Sequence, residues 1–185
     1  MRILLLCLAG LLNCTAAQAE QIIGGSLGYG FNEFKGVAAD NNEGGDNIVY
    51  DIYYRYMWHD SIGIEAGYFG GETGLSSAFV GIFTGIENVE YEGARAALYG
   101  QYLLSERNRL YAKVGMSTNK LSYDIKRPFS HDEYRHVVER GQDLYTAAGW
   151  EFRFHSGFAI NVEYQYIPVQ ALTAQNLNFG LSYQF

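Results

Sequence analysis

The sequence predicts an all-β fold: an eight-stranded antiparallel up-and-down transmembrane β-barrel with short periplasmic turns and longer extracellular loops. Three observations predict it. Segments of about ten residues alternate apolar side chains with polar or small ones. Short and long connections take turns along the chain, as in a meander whose long loops gather at one end. The apolar faces carry aromatics at strand ends and aliphatics between them, the distribution a bilayer selects.

The first residues belong to export rather than to the fold. Arg2 gives a positive start, "ILLLCLAGLL" a short apolar core, and "AQA" at Ala17 to Ala19 a small-residue cleavage site. Residues 1–19 therefore read as a cleaved signal peptide and 20–185 as an outer-membrane β-barrel domain. Asn13 interrupts the apolar run, which falls short of the roughly 20 residues of a spanning helix. Lipid attachment at Cys14 is disfavoured by the bulky, polar Asn13 before it. Cys7 and Cys14 both lie in the leader, so the exported chain carries no disulfide framework and no thiolate chemistry. The formal charge of -7 becomes more negative when Arg2 leaves, which argues against nucleic acid as a partner.

The strands follow in order. "IIGGSLGYGF" opens the barrel, with Gly24, Ser26, Gly28 and Gly30 on one face and Tyr29 and Phe31 on the other. "IVYDIYYRYMW" sets Ile48, Tyr50, Ile52, Tyr54, Tyr56 and Trp58 against Val49, Asp51, Tyr53, Arg55 and Met57. "HDS" turns it into "IGIEAGYFG", with Ile62, Ile64, Ala66 and Tyr68 against Gly63, Glu65, Gly67 and Phe69. "ARAALYGQYLL" turns through 105–109 into "LYAKVGMST", where Leu98, Tyr102, Leu110, Val114 and Met116 oppose Arg95, Gln101, Lys113, Gly115 and Ser117. "LYTAAGWEFRF" turns through 155–157 into "FAINVEYQYI", separating Trp150, Phe152, Phe154, Phe158, Ile160, Val162 and Tyr164 from Glu151, Arg153, Asn161, Glu163 and Gln165. "NLNFGLSYQF" is the eighth strand. Long connections are expected near 32–47, 70–88, 124–143 and 168–175.

Alternation alone does not say which face points inward, since a soluble lipocalin-like barrel has the same period. The polar face decides it. A water-exposed sheet face is rich in long charged side chains, whereas this one is mostly Gly, Ala and Ser, which suit a narrow interior. Its charges are few and balanced: Asp51, Glu65, Glu151 and Glu163 against Arg55, Arg95, Lys113 and Arg153. Arg55, Glu65, Lys113 and Glu151 sit at similar depth from the short turns, so an interior ionic network is expected, because isolated charges there would cost several kcal/mol each.

On these features the chain resembles the small outer-membrane β-barrels of Gram-negative bacteria, the OmpA-like and OmpX/Ail-like eight-stranded proteins. "LYAKVGMS", "GWEFRF", "VEYQY" and the terminal "NFGLSYQF" carry the likeness. The resemblance implies a cell outer-membrane location and, in Phe179, Leu181, Tyr183 and Phe185, a C-terminal signal read by the barrel-insertion machinery. It also implies matches to the internal Glu, Arg and Lys of the OmpA transmembrane domain at Glu65, Lys113, Glu151 and Arg153 or Glu163. OmpA continues into a peptidoglycan-binding domain, which this sequence lacks, so tethering to the cell wall is not expected.

The function expected is that of a non-enzymatic surface protein without cofactors. Its partners would be outer-membrane lipids, lipopolysaccharide and a host or surface ligand held by the loops. The stretch near 32–47 is acidic and Gly/Asn-rich; "GLSSAFVGIFTGI" is apolar for a loop and reads as strand extension or as an adhesive patch. His131, Asp132, Glu133 and His136 lack the spacing of a metal site, and Ser130 beside His131 lacks the convergence a lipid A-modifying esterase needs. Lys126, Arg127, Arg135 and Arg140 suit lipopolysaccharide phosphates. A narrow pore is the remaining alternative, opposed by Arg55, Arg95, Lys113, Glu65, Glu151 and Tyr99 across so narrow an interior.

Overall fold

The computed structural model describes residues 20–34, 46–73, 86–126, 134–169 and 172–185. Eight strands make up the fold: β1 (Glu20–Phe34), β2 (Asp46–His59), β3 (Ile62–Thr73), β4 (Ile86–Leu103), β5 (Asn108–Lys126), β6 (Tyr134–Arg153), β7 (Phe158–Val169) and β8 (Leu172–Gln184). Each pairs antiparallel with its neighbours in sequence, and β8 pairs with β1 from Phe34↔Leu172 to Ile22↔Gln184, closing the barrel. Closure leaves the strands of the belt without an unpaired edge, the condition for crossing hydrocarbon. No helix among the described residues is long and apolar enough to cross a membrane.

The tight ends lie where turn chemistry places them. Asp60 and Ser61 join β2 to β3, and residues 104–107 join β4 to β5. Between β6 and β7, Gly157 adopts φ 88°, a left-handed conformation that favours glycine. Phe154 N–H donates to Phe158 O at 2.8 Å and Gly157 N–H to Phe154 O at 3.2 Å, closing that hairpin.

Two expected connections are shorter than the sequence suggests. The stretch 124–143 is mostly strand: β5 and β6 stay in register from Asn108↔Phe152 to Lys126↔Tyr134. Charged side chains give that segment the composition of a loop, yet Val137, Val138 and Tyr123 supply the β-propensity. The stretch 168–175 is likewise strand on both sides, with Val169↔Leu172 the last pair. Val169, Leu172 and Ala174 are fully buried and pack into the interior. The strict alternation of short and long connections therefore breaks between β7 and β8.

The lumen is filled rather than open. One apolar cluster joins Val49, Phe69, Tyr91, Leu121, Tyr145, Ile167 and Leu172 in the half away from the tight turns. Another joins Ile22, Met57, Tyr99 and Tyr111 near them. The inward glycines make this possible. Gly24 faces Tyr53, Gly71 faces Tyr91 and Gly149 faces Tyr111 as cross-strand partners. A Cβ on Gly71 or Gly149 would lie 2.5 Å from the facing tyrosine Cζ, so each glycine provides the space that a ring occupies. The outward face is the apolar one: Ile52, Leu98, Met116, Leu181 and Phe179 are all more than half exposed. A continuous apolar belt of this kind requires lipid, not water.

Candidate functional site

The inward charges of β2 to β7 meet in one connected network. Arg55 and Glu65 are cross-strand partners, and Arg55 Nη2 lies 2.7 Å from Glu65 Oε2. Glu65 also receives Arg95 Nη1 at 2.6 Å and Lys113 Nζ at 2.7 Å, so three cations share one carboxylate. Lys113 Nζ reaches on to Glu163 at 2.6 Å, and Arg95 Nη2 to Asp51 at 3.0 Å. Arg55 Nη1 approaches Glu151 at 3.5 Å, and Arg153 Nη2 binds Glu151 at 2.6 Å. Asp51, Arg55, Glu65, Arg95, Lys113, Glu151, Arg153 and Glu163 are all brought together, each no more than 7% exposed.

Sequence reasoning leaves three kinds of member out of the network, although it places Gln165 and Tyr99 on the inward face. Arg109, inward on β5, stands 3.6 Å from Glu151, although "SERNR" reads as a turn. Gln165 Nε2 donates to Asp51 at 3.1 Å and to Glu163 at 2.8 Å, tying two carboxylates together. Tyrosine rings cover the cations: Arg55 Cζ lies 3.7 Å from the Tyr99 centroid and Arg95 Cζ 4.6 Å from that of Tyr145. Each such contact adds roughly 0.5–2 kcal/mol. Each shares the inward parity of a charged residue on its own strand, Arg109 with Lys113, Gln165 with Glu163, Tyr99 with Arg95 and Tyr145 with Glu151, which was the available signal.

A second arrangement lies on the outer face, above the lipid belt. Glu92, Lys120 and Arg140 form one cross-strand row over β4, β5 and β6. Tyr68 O–H donates to Glu92 at 2.6 Å, and Lys120 Nζ donates to Glu92 at 3.3 Å. The next outward row holds Ala94, Thr118 and Gln142, and the one below it the apolar Ala96, Met116 and Leu144. A groove of about 530 Å³ lies between Tyr68, Glu92, Thr118, Lys120, Arg140 and Gln142.

The remaining expected residues fall elsewhere. Phe179, Leu181, Tyr183 and Phe185 line the outer face of β8 and the residue after it, 36–65% exposed. His136 lies exposed on β6, while Ser130, His131, Asp132, Glu133 and Arg127 lie outside the described residues. Among the described residues no group of three or more His, Cys, Asp or Glu is placed to hold a metal. Residues 35–45 and 74–85, most of the first two long connections, also lie outside the described residues.

Residues 4–185 match the family model described as the outer membrane protein beta-barrel domain. The chain belongs to this outer-membrane barrel family. Its likeness extends to solved structures of small outer-membrane barrels. Ail of Yersinia pestis, crystallised with the heparin analogue sucrose octasulfate, superposes with a TM-score of 0.59 at 16% identity, covering 90% of this chain and 99% of that one. Neisserial surface protein A gives 0.62 at 10% identity, with coverages of 90% and 99%. The N-terminal barrel of Pseudomonas aeruginosa OprF gives 0.52 at 12%, covering 89% and 97%. At these identities the likeness shows the fold alone. No curated protein matches the chain in sequence.

Proposed function

We propose that this outer-membrane barrel is a non-enzymatic surface protein that holds phosphorylated lipopolysaccharide headgroups against its extracellular rim. The observation that carries the reading is the pair Lys120 and Arg140. They are cross-strand neighbours over the groove, just above the lipid-facing row of Met116 and Leu144. Cations at that height meet the phosphates of an outer leaflet, and charge-assisted hydrogen bonds to phosphate are among the stronger ones available. Glu92 pairs with Lys120 at 3.3 Å on the exposed face, so an incoming phosphate competes with that carboxylate for the lysine and takes its further charge from Arg140. That a barrel of this fold, Ail, crystallised with a polysulfated sugar supports the same chemistry.

The test is lipopolysaccharide binding by the reconstituted barrel and by K120Q/R140Q. The double variant should bind about tenfold or more weakly, with a flatter salt dependence. Equal binding of enzymatically dephosphorylated lipopolysaccharide would contradict the phosphate reading.

A specific observation favours a second contact. β6 follows β5 out to Tyr134, whereas β7 joins β6 only from Thr146 onward, so the β5–β6 hairpin projects beyond the belt. A projecting strand edge pairs readily with another extended chain. Shortening the hairpin by its outermost register pairs should leave the barrel folded and reduce attachment to a host surface. Undiminished attachment would remove this reading.

Two further roles belong to the same proposal. Residues 1–19 act as the cleaved leader, and Phe179, Leu181, Tyr183 and Phe185 as the signal for the insertion machinery. The lipid A-modifying alternative is tested by mass spectrometry of lipid A from cells with and without the protein; an altered acyl chain would replace the non-enzymatic reading. The pore alternative must contend with Arg55, Tyr99, Tyr91 and Tyr145 buried across the lumen.

A further inference from the structure

The lipid face is not uniform on the turn-side half of β6, β7 and β8. Trp150, Val162 and Phe179 form one outward cross-strand row, and Phe152, Ile160 and Leu181 the next. Val162 is the small member between two rings, and a trough of about 300 Å³ opens along β7, lined by Trp150, Ile160, Val162, Phe179 and Leu181. Every one of those side chains is apolar. Inside a bilayer an acyl chain gains no hydrophobic free energy by entering such a trough, only van der Waals contact. Preference for one lipid over another must therefore come from its headgroup.

Cations for a headgroup stand at the foot of the same face. The Arg107 carbonyl accepts from Arg153 N–H at 2.8 Å, which holds the β4–β5 connection against the end of β6. The Arg107 guanidinium donates to His155 Nε2 in the β6–β7 connection, so the neutral ring carries its proton on Nδ1, a second donor. Both side chains are exposed, where a phosphate has room to approach. Glu106, the acid beside Arg107 in sequence, is exposed too and screened by water. From these cations an aromatic wall runs up β6. Phe154 and Phe152 meet edge to face with centroids 5.0 Å apart, and Phe152 and Trp150 lie 6.4 Å apart. Phe154 to Trp150 is roughly 13 Å of strand, within the length of one acyl chain.

We propose that this face binds one anionic phospholipid of the periplasmic leaflet. Its phosphate sits on Arg107 and His155, and one acyl chain follows Phe154 and Phe152 into the trough beside Trp150. Charge-assisted hydrogen bonds hold the phosphate. A zwitterionic headgroup brings its own cation to Arg107 and is held less well. The opposite side of the barrel lacks the arrangement: Trp58, four strands away on β2, stands next to a turn that carries His59 and Asp60.

Fluorescence quenching by phospholipids brominated in mid-chain tests this, since Trp58 and Trp150 are the only tryptophans. W58F, with Trp150 as its sole emitter, is reconstituted in phosphatidylcholine vesicles containing increasing brominated phosphatidylglycerol or brominated phosphatidylcholine. Half-maximal quenching should come at a several-fold lower fraction of the anionic lipid. R107Q/H155Q in the same background should bring the two curves together, with heat-sensitive gel mobility as the check that the barrel is folded. W150F, which reports from Trp58, should show no preference. Equal curves for Trp150 in W58F, a preference that survives R107Q/H155Q, or the same preference at Trp58 would each overturn the proposal. Quenching that falls as protein is added at constant lipid composition would assign the trough to a second copy of the chain and overturn it as well.

Discussion

Glu65 is where the interior network is most exposed to a single change. Its carboxylate lies 2.6–2.7 Å from Arg55, Arg95 and Lys113, and none of these side chains is more than 1% exposed. E65Q keeps the shape and removes the charge, leaving three cations to share what remains. Lys113 retains Glu163 and Arg95 retains Asp51, so only part of the interaction is lost for those two. Arg55 keeps only the 3.5 Å approach to Glu151 and its tyrosine rings. Removing one partner of a buried pair costs about 3–5 kcal/mol, and the upper end applies because three ions lose a counter-charge together. The assay is urea unfolding of the barrel in lipid, read by tryptophan fluorescence from Trp58 and Trp150. E163Q, which disturbs Lys113 alone among the cations, serves as the milder comparison and should cost less than E65Q. A second change that removes the cation left with least, E65Q/R55Q, should recover part of the loss, since Glu151 keeps Arg153. An E65Q barrel within about 1 kcal/mol of wild type would refute the claim that these charges act as one network.

Three other outcomes follow from the same structure. G71A places a Cβ 2.5 Å from Tyr91 Cζ, and that ring is held by Asn47 at 2.8 Å and Asn176 at 3.2 Å. It should destabilise the barrel by about 1–3 kcal/mol in urea unfolding, and most of the loss should vanish when Y91L is added. On the lipid face, L181R in mid-belt should cost about 2–4 kcal/mol in refolding into bilayers, and F185R at the rim only about 0–1 kcal/mol. Removing Phe185 should slow assembly into the outer membrane in cells, seen as heat-sensitive gel mobility appearing late, while unfolding in lipid changes little.

Much of the barrel was legible because period-two alternation survives in every strand and the two faces differ so sharply. The inward row Asp51, Tyr53, Arg55 and the outward row Ile52, Tyr54 are visible in "DIYYRY" without any structure. The upper part of β5 and β6 was hidden because, beyond the lipid belt, both faces of a strand can be polar. "SYDIK" and "YRHVVERGQD" then have the composition of a loop. The β7–β8 connection misled for the opposite reason: Thr173, Gln175 and Asn176 look like turn residues but line paired strands. Sequence also could not reveal that Gly24, Gly71 and Gly149 each answer a tyrosine one strand away, since that depends on register. Arg109 escaped because it is the second residue of β5, beside the tight connection, where a charge is usually solvated. The Lys120–Arg140 row escaped because its members are 20 residues apart in sequence and meet only through the β5–β6 register.

The most direct measurement of the central claim, an apolar face in lipid around a charged interior, is spin-label accessibility in bilayers. Both native cysteines lie at positions 7 and 14, so a chain starting at Glu20 takes single labels without ambiguity. Labels at Leu98, Val114 and Leu181 should collide with oxygen dissolved in the hydrocarbon and not with a water-soluble nickel complex. Labels at the inward Ala97 and Ala147 should be shielded from both. Strong collision of the nickel complex with labels at Leu98, Val114 and Leu181 would place that face in water and contradict the account.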